Sequence, residues 1–301
     1  MVNVYEQLDN NKRKSIIVIV LFIVFIAFFI WIMGKEVGFG PGIVGWALIF
    51  SGLSGLGGYY FSDQIILTIS KARAADKKKD FNFFTATENL AMASSIPMPK
   101  LYVIEDSAPN AFATGRSPSH AVICATTGLL EKLDRSELEG VIAHELTHVK
   151  NYDMRLMSVV AVLVGMVTLL ADWFIRISIW GGRGDREEKG NSGAIIGLIA
   201  IFLAILSPII AELIKLAISR RREFYADAGS AYLTRYPEGL IRALEKISKD
   251  KEPLEAANKA TAHLYIVNPL KNTHNAIGRF AKLFNTHPPV EDRIKALQGM
   301  I

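Results

Sequence analysis

Asp134-Arg135-Ser136-Glu137-Leu138-Glu139-Gly140-Val141-Ile142-Ala143-His144-Glu145-Leu146-Thr147-His148-Val149 is a helix written in sequence. Asp134 stands as an N-cap and Glu137 as the third helical residue, the pair that makes a capping box. Leu138, Ile142, Leu146 and Val149 repeat at helical spacing and give an apolar stripe for a core. Val141, His144, His148, Asn151 and Arg155 fall on a neighbouring face, so the helix is expected to be anchored on one side and open on the other. The run His144 to His148 reads H-E-x-x-H. Two histidines four apart project from one side, one above the other, with the bite a tetrahedral zinc ion needs from two imidazoles. Glu145 is rotated off that axis and can reach an attacking water without competing as a ligand. The plain alternative is an amphipathic helix with two surface histidines; a third ligand elsewhere in the chain decides between them.

The composition narrows the setting. Half of the 301 residues are hydrophobic and the mean hydropathy is +0.26, high for a soluble protein. The formal charge is +5, but the basic residues cluster beside apolar segments, as membrane topology places them. Nucleic acid is therefore not an expected partner. The single cysteine, Cys124, excludes an intrachain disulfide and sits in the apolar run Ala121-Val122-Ile123-Cys124-Ala125, the setting of a buried strand.

Four apolar segments predict membrane spans. Ser15–Met33 carries no charge, is long enough for a hydrocarbon core, is too long for a signal-peptide core and has no small-residue cleavage site after it. Gly42–Phe61 is the second, rich in glycine for close helix packing. Met157–Ile179 and Gly193–Ile218 are the third and fourth, the last with a kink expected at Pro208. Lys12-Arg13-Lys14, the Lys71 to Lys79 cluster and Arg220-Arg221-Arg222 flank them on one side. The positive-inside rule then puts both termini and the H-E-x-x-H run in the cytoplasm of a multi-pass protein of the cell membrane. The expected organisation is a transmembrane hairpin over 1–70 (spans 15–33 and 42–61), a first catalytic part over 71–156, a second hydrophobic hairpin over 157–218 (spans 157–179 and 193–218) and a second catalytic part over 219–301. Lys71 to Asp80 reads as a charged linker.

The third ligand should be a Glu or His on a second helix. Glu223, in Arg220-Arg221-Arg222-Glu223-Phe224-Tyr225-Ala226-Asp227, follows the second hairpin, which runs out and back and returns it beside the His144 helix. Asp227, one turn on, can hydrogen-bond the second ring nitrogen of a zinc histidine. Glu212 is the rival; it lies within an apolar run with Lys215 three residues on, which an ion pair in the membrane also explains.

With these residues in view, the chain resembles the HtpX family of membrane-bound zinc metallopeptidases of the gluzincin group. The shared motifs are A-H-E-L-T-H at 143–148, R-R-R-E-F-Y-A-D at 220–227, N-A-F-A-T-G at 110–115 and T-H-P-P-V-E-D-R-I at 286–294. The resemblance runs over nearly the whole chain and implies His144, His148 and Glu223 as ligands of one zinc ion and Glu145 as the catalytic residue. It also implies quality control of membrane proteins.

Leu101 to Glu105 and Ala121 to Thr126 read as short strands, with Asn110-Ala111-Phe112-Ala113-Thr114-Gly115 between them as an edge strand. In resembling enzymes such an edge takes the substrate backbone as an added strand, so Asn110, Ala111, Phe112 and Ala113 are the candidate substrate contacts. Tyr236 to Lys249 has the pattern of an amphipathic helix, and His287-Pro288-Pro289 leads into a final helix with Arg293. His287 is a candidate either to steady an oxyanion or to cap that helix. The whole predicts an α+β, mainly helical integral membrane protein with about four transmembrane helices and a cytoplasmic zincin-type catalytic domain bearing a small sheet. Its expected function is a zinc-dependent endopeptidase cleaving misfolded or damaged membrane proteins, with Glu145 as general base and the lipid bilayer as a partner. A zinc-stabilised scaffold without catalysis and a processing protease of narrow specificity are the alternatives.

Overall fold

A computed structural model of the chain describes residues 4–36, 42–166, 220–257, 261–267, 269 and 288–301, with the side chains of the first two helices described in part. In chain order come α1 (Val4–Glu36), α2 (Ile43–Tyr60), α3 (Ser62–Ile69), β1 (Arg73–Ala74), α4 (Phe81–Ser94), β2 (Lys100–Ile104), β3 (Ala111–Gly115), β4 (Ala121–Thr126), α5 (Thr127–Lys132) and α6 (Arg135–Lys150). They are followed by α7 over 153–166, α8 (Arg220–Thr234), α9 (Pro237–Lys249) and α10 (Val290–Gln298). The α+β, mainly helical class expected from the sequence is what the chain adopts.

The sheet has the order β1-β2-β4-β3. β1 is antiparallel to β2, β2 is parallel to β4, and β3 is antiparallel to β4. β1 lies inside the stretch read as a charged linker. Arg73 turns that stretch into structure by bridging Asp80 at 3.0 Å and Glu105 at 2.6 Å across the sheet edge.

Both faces of the sheet are covered, and alternation decides which residue goes where. Leu101, Val103, Ala111, Ala113, Ile123 and Ala125 face the cluster built by α4, α6 and α9. Ile104, Phe112, Val122 and Cys124 face a second cluster with Ile66 and Leu67 of α3, Val18, Phe22 and Ile26 of α1, and Leu156 to Val164 of α7. Strands covered on both sides need no polar alternation, which is why β4 reads as an unbroken apolar run. Cys124 is fully buried there, as expected, and burial pushes its thiol pKa far up.

Among the described residues no helix is long and apolar enough to cross a membrane. The described part of α1 is nonetheless apolar on two sides. Val18, Phe22 and Ile26 are buried, while Ile16, Val20, Val24 and Phe28 form a second stripe of exposed side chains. On α2, Trp46, Ile49, Leu53 and Leu56 are exposed at helical spacing. Of the α2 glycines, Gly55 lies close to Ile19 and Ile23 of α1, and Gly58 to Val162 of α7. Within the second hydrophobic hairpin, α7 covers 157–166; 167–219 lies outside the described residues.

Candidate metal centre

The capping box at the start of α6 forms as the sequence predicts. Glu137 N–H donates to Asp134 Oδ1 at 2.9 Å and Asp134 N–H to Glu137 Oε2 at 2.8 Å. The stripe of Leu138, Ile142, Leu146 and Val149 is buried. The other side of the helix departs from expectation, because Val141, His144, Glu145 and His148 are buried as well. α8 and α10 close over that face. Gly140 lets the backbone of α9 approach: a Cβ there would stand 2.7 Å from the Leu240 nitrogen. Ser230 Oγ of α8 donates to the Gly140 carbonyl at 2.7 Å and fixes α8 on the same turn.

That packing brings Glu223 of α8 to the histidines. His144 Nε2 and His148 Nε2 lie 3.2 Å apart, and the Glu223 carboxylate oxygens are 3.8 Å from the first and 3.5 Å from the second. A tetrahedral ion with bonds of about 2.0–2.1 Å needs donors about 3.3 Å apart. The three groups therefore fit zinc, and among the described residues they are the set whose donors converge. Glu212, the rival, lies outside the described residues, as does His287.

Each imidazole is held from behind. His144 Nδ1 donates to Asp227 Oδ1 at 2.9 Å and His148 Nδ1 to Asp153 Oδ2 at 3.1 Å. A carboxylate on Nδ1 fixes the tautomer and leaves the Nε2 lone pair for a metal. Asp227 is in turn gripped by Arg293 of α10, with Nε to Oδ2 at 2.9 Å and Nη2 to Oδ1 at 2.6 Å. Arg293 Nη1 also donates to the Ile266 carbonyl at 2.9 Å and lies 3.7 Å from Glu223. The sequence places Arg293 on the final helix without a role and gives no signal for Asp153.

The charge states follow from these neighbours. Burial lowers the His144 pKa to about 4 against the opposing pull of Asp227, so the metal-free ring is neutral. Burial would lower His148 too, but Asp153 and Glu223 outweigh it and hold its pKa well above the usual imidazole value. Burial raises Glu145 to about 7, with His148 opposing and Glu223 adding to the rise. The Ala113 backbone N–H lies beside the Glu145 carboxylate and favours its charged form.

Ala113 lies on β3, the edge strand of the sheet among the described residues. Thr126 N–H bonds Asn110 O at 3.0 Å, and the register pairs Ala111 with Ala125. Antiparallel pairs alternate, so Phe112 and Thr114 bond inward to β4, and Ala111, Ala113 and Gly115 turn their peptide groups outward. Ile266 N–H takes the Ala111 carbonyl at 3.0 Å and Ser158 Oγ takes the Gly115 N–H at 3.2 Å. Ala113 sits between these two, next to Glu145. The other candidate substrate contacts are committed inside the protein. Asn110 Nδ2 donates to Val267 O at 2.9 Å, and Phe112 is buried on the opposite face with its ring 5.1 Å from that of Tyr265.

Two histidines of one helix and a glutamate of a second thus converge at one buried point, with a carboxylate behind each imidazole, a donor set of the kind a catalytic zinc takes. The profile of peptidase family M48 matches residues 79–301. The chain is 45% identical over 298 residues to the protease HtpX homolog of Dictyoglomus thermophilum, covering 98% of this chain and 94% of that one. It is 41% identical over 296 residues to the protease HtpX homolog of Tropheryma whipplei strain Twist, with 98% of each chain covered. It is also similar to the crystal structure of S. mikatae Ste24p, at 18% identity and a TM-score of 0.48, covering 97% of this chain and 66% of that one. The chain belongs to peptidase family M48.

Proposed function

We propose that this metallopeptidase is a zinc-dependent endopeptidase anchored in the cytoplasmic membrane, with its catalytic part on the cytoplasmic side, that cleaves misfolded or damaged membrane proteins. The observation that carries the chemistry is the convergence of His144, His148 and Glu223 with Glu145 buried beside them. Zinc, when bound, polarises the scissile carbonyl and lowers the pKa of the attacking water toward about 7. His144, His148 and Glu223 hold the ion, and Asp227 and Asp153 keep both histidines in the tautomer that binds it. Glu145 takes the proton from the attacking water and passes it to the leaving amine. The outward peptide group of Ala113 pairs with the substrate backbone and presents the scissile bond to Glu145. Main-chain pairing of this kind accepts many sequences, which suits a quality-control substrate range.

Membrane anchoring rests on α1 and α2. A helix apolar on both its buried and its outer side is suited to lipid rather than water. The basic clusters flanking the apolar segments support the cytoplasmic side. Protease relatives matched over nearly the full length speak against a scaffold without catalysis. The test is cleavage by the zinc-loaded chain, in detergent and in vesicles, of a panel of unfolded membrane and soluble proteins. Cleavage of several unrelated unfolded membrane proteins is expected; cleavage confined to one sequence motif would favour a dedicated processing protease instead.

A further inference from the structure

We propose that Asp153 is a positioning residue for His148 and that Arg222 locks it in place, so that the grip on the metal depends on the two ends of the 167–219 segment being held together. The proposal rests on the reading of His144, His148 and Glu223 as the metal ligands.

The geometry begins with a break in the backbone. α6 stops at Lys150, Asn151 caps it, and Tyr152 turns the chain at a φ of +58° before α7 begins. Had the helix run on, a residue five positions past His148 would stand about 140° round the axis from it. The left-handed residue at 152 instead swings Asp153 back under the imidazole. Asp153 Oδ2 then meets His148 Nδ1 at 3.1 Å, and Nε2 is left facing Glu223 Oε1 at 3.5 Å. A left-handed conformation is costly for a tyrosine, and here it serves to aim one carboxylate.

The other oxygen of Asp153 faces Arg222, with Nη1 to Oδ1 at 3.7 Å. Asp153 and Arg222 are 1% and 6% exposed, so the attraction acts away from water and salt. Arg222 is the neighbour of Glu223 in the chain. Residue 153 starts the helix that leads into the 167–219 segment, and residue 222 lies just after that segment ends. One carboxylate thus joins a ligand on α6, the start of α7 and the residue beside the third ligand on α8. Any movement that parts α7 from α8 at this junction withdraws the support of His148 and shifts Glu223 together.

The experiment uses the full chain in detergent, stripped of metal, with zinc and cobalt affinity measured by competition against a chelator. Asp153→Ala is expected to weaken binding about 10- to 100-fold, the usual loss for such a partner. Asp153→Asn keeps an acceptor for the Nδ1–H without the charge and is expected to fall between it and the parent. Arg222→Gln weakens binding, Arg222→Lys restores it, and Arg222→Gln adds nothing once Asp153 is alanine. At saturating cobalt the visible bands of Asp153→Ala are displaced but keep the intensity of a tetrahedral site, because the bound ion itself is held differently; loss of fold would instead collapse them to the weak bands of the hydrated ion. Parent-like affinity in both Asp153 variants, or a full additional loss from Arg222→Gln in the Asp153→Ala background, overturns the proposal. A parent chain that binds neither metal overturns the ligand reading instead.

Discussion

Replacing Arg293 by methionine should destabilise the metal-free protein by about 3–5 kcal/mol, the range for removing one partner of a buried ion pair. The guanidinium is 0% exposed and makes two bonds to Asp227 and one to the Ile266 carbonyl. Methionine fills much of the space, so the loss is one of charge rather than volume. What remains is a buried Asp227 carboxylate whose nearest donor is His144. Against a domain stability of about 5–15 kcal/mol this is a large fraction, readable as a lowered midpoint in denaturant unfolding. Its pH dependence has a definite sign. Burial alone would raise the Asp227 pKa, but Arg293 and the bond from His144 hold it at about 2 in the folded chain. An unfolded aspartate titrates at about 3.9, so the contribution of the pair is whole above about pH 4 and is lost as pH falls toward 2. In the methionine variant burial is no longer opposed by the guanidinium, and the deficit should shrink in acid as Asp227 takes up a proton. Adding Asp227→Asn should recover about 0.5–3 kcal/mol by removing the stranded charge. A deficit under about 1 kcal/mol, or a double variant no more stable than the single one, would refute this account of the pair.

Gly140→Ala places a methyl group against the Leu240 backbone, which cannot give way, and should cost about 1–3 kcal/mol in thermal unfolding; an unchanged midpoint would mean that α9 does not sit so close. Ala113→Pro removes the outward N–H that lies on the Glu145 carboxylate and should lower kcat/KM for peptides more than tenfold while leaving zinc content intact; equal kcat/KM would mean that this N–H supports neither Glu145 nor the substrate. Asp153 and Glu223 hold the His148 pKa above the usual imidazole value, so zinc binding competes with a proton there. Calorimetry in buffers of different ionisation enthalpy should show proton release and an affinity that weakens as pH falls; pH-independent affinity would contradict the assigned ligand.

The sequence made α6 legible because everything that defines it is local: a cap, a 3.6-residue stripe and two histidines one turn apart. Glu223 was legible for a different reason, the expectation that a second hydrophobic hairpin returns the chain beside α6; most of that hairpin lies outside the described residues, and α8 brings Glu223 within 3.8 Å of His144. β3 was expected as an edge strand from its place between two strand-like runs, and the order β1-β2-β4-β3 has it at the edge. Asp153 was hidden because the left-handed turn at Tyr152 leaves no trace in a periodic pattern; extending the helix to Arg155 put residue 153 on the wrong face. β1 was hidden because two residues among lysines carry no strand signal, and it is the Arg73 bridges to Asp80 and Glu105 that hold it. The burial of the histidine face was also unreadable, since a buried arginine is expected of no isolated sequence and depends on Asp227 being placed opposite it by a separate helix.

The most direct test measures zinc content and peptide cleavage on the same preparations of the parent chain, Glu145→Gln and Glu223→Ala. The account predicts one zinc and cleavage for the parent, one zinc with cleavage lowered about 10²- to 10⁴-fold for Glu145→Gln, and loss of both zinc and cleavage for Glu223→Ala. Undiminished cleavage by Glu145→Gln, or full zinc occupancy in Glu223→Ala, would contradict it.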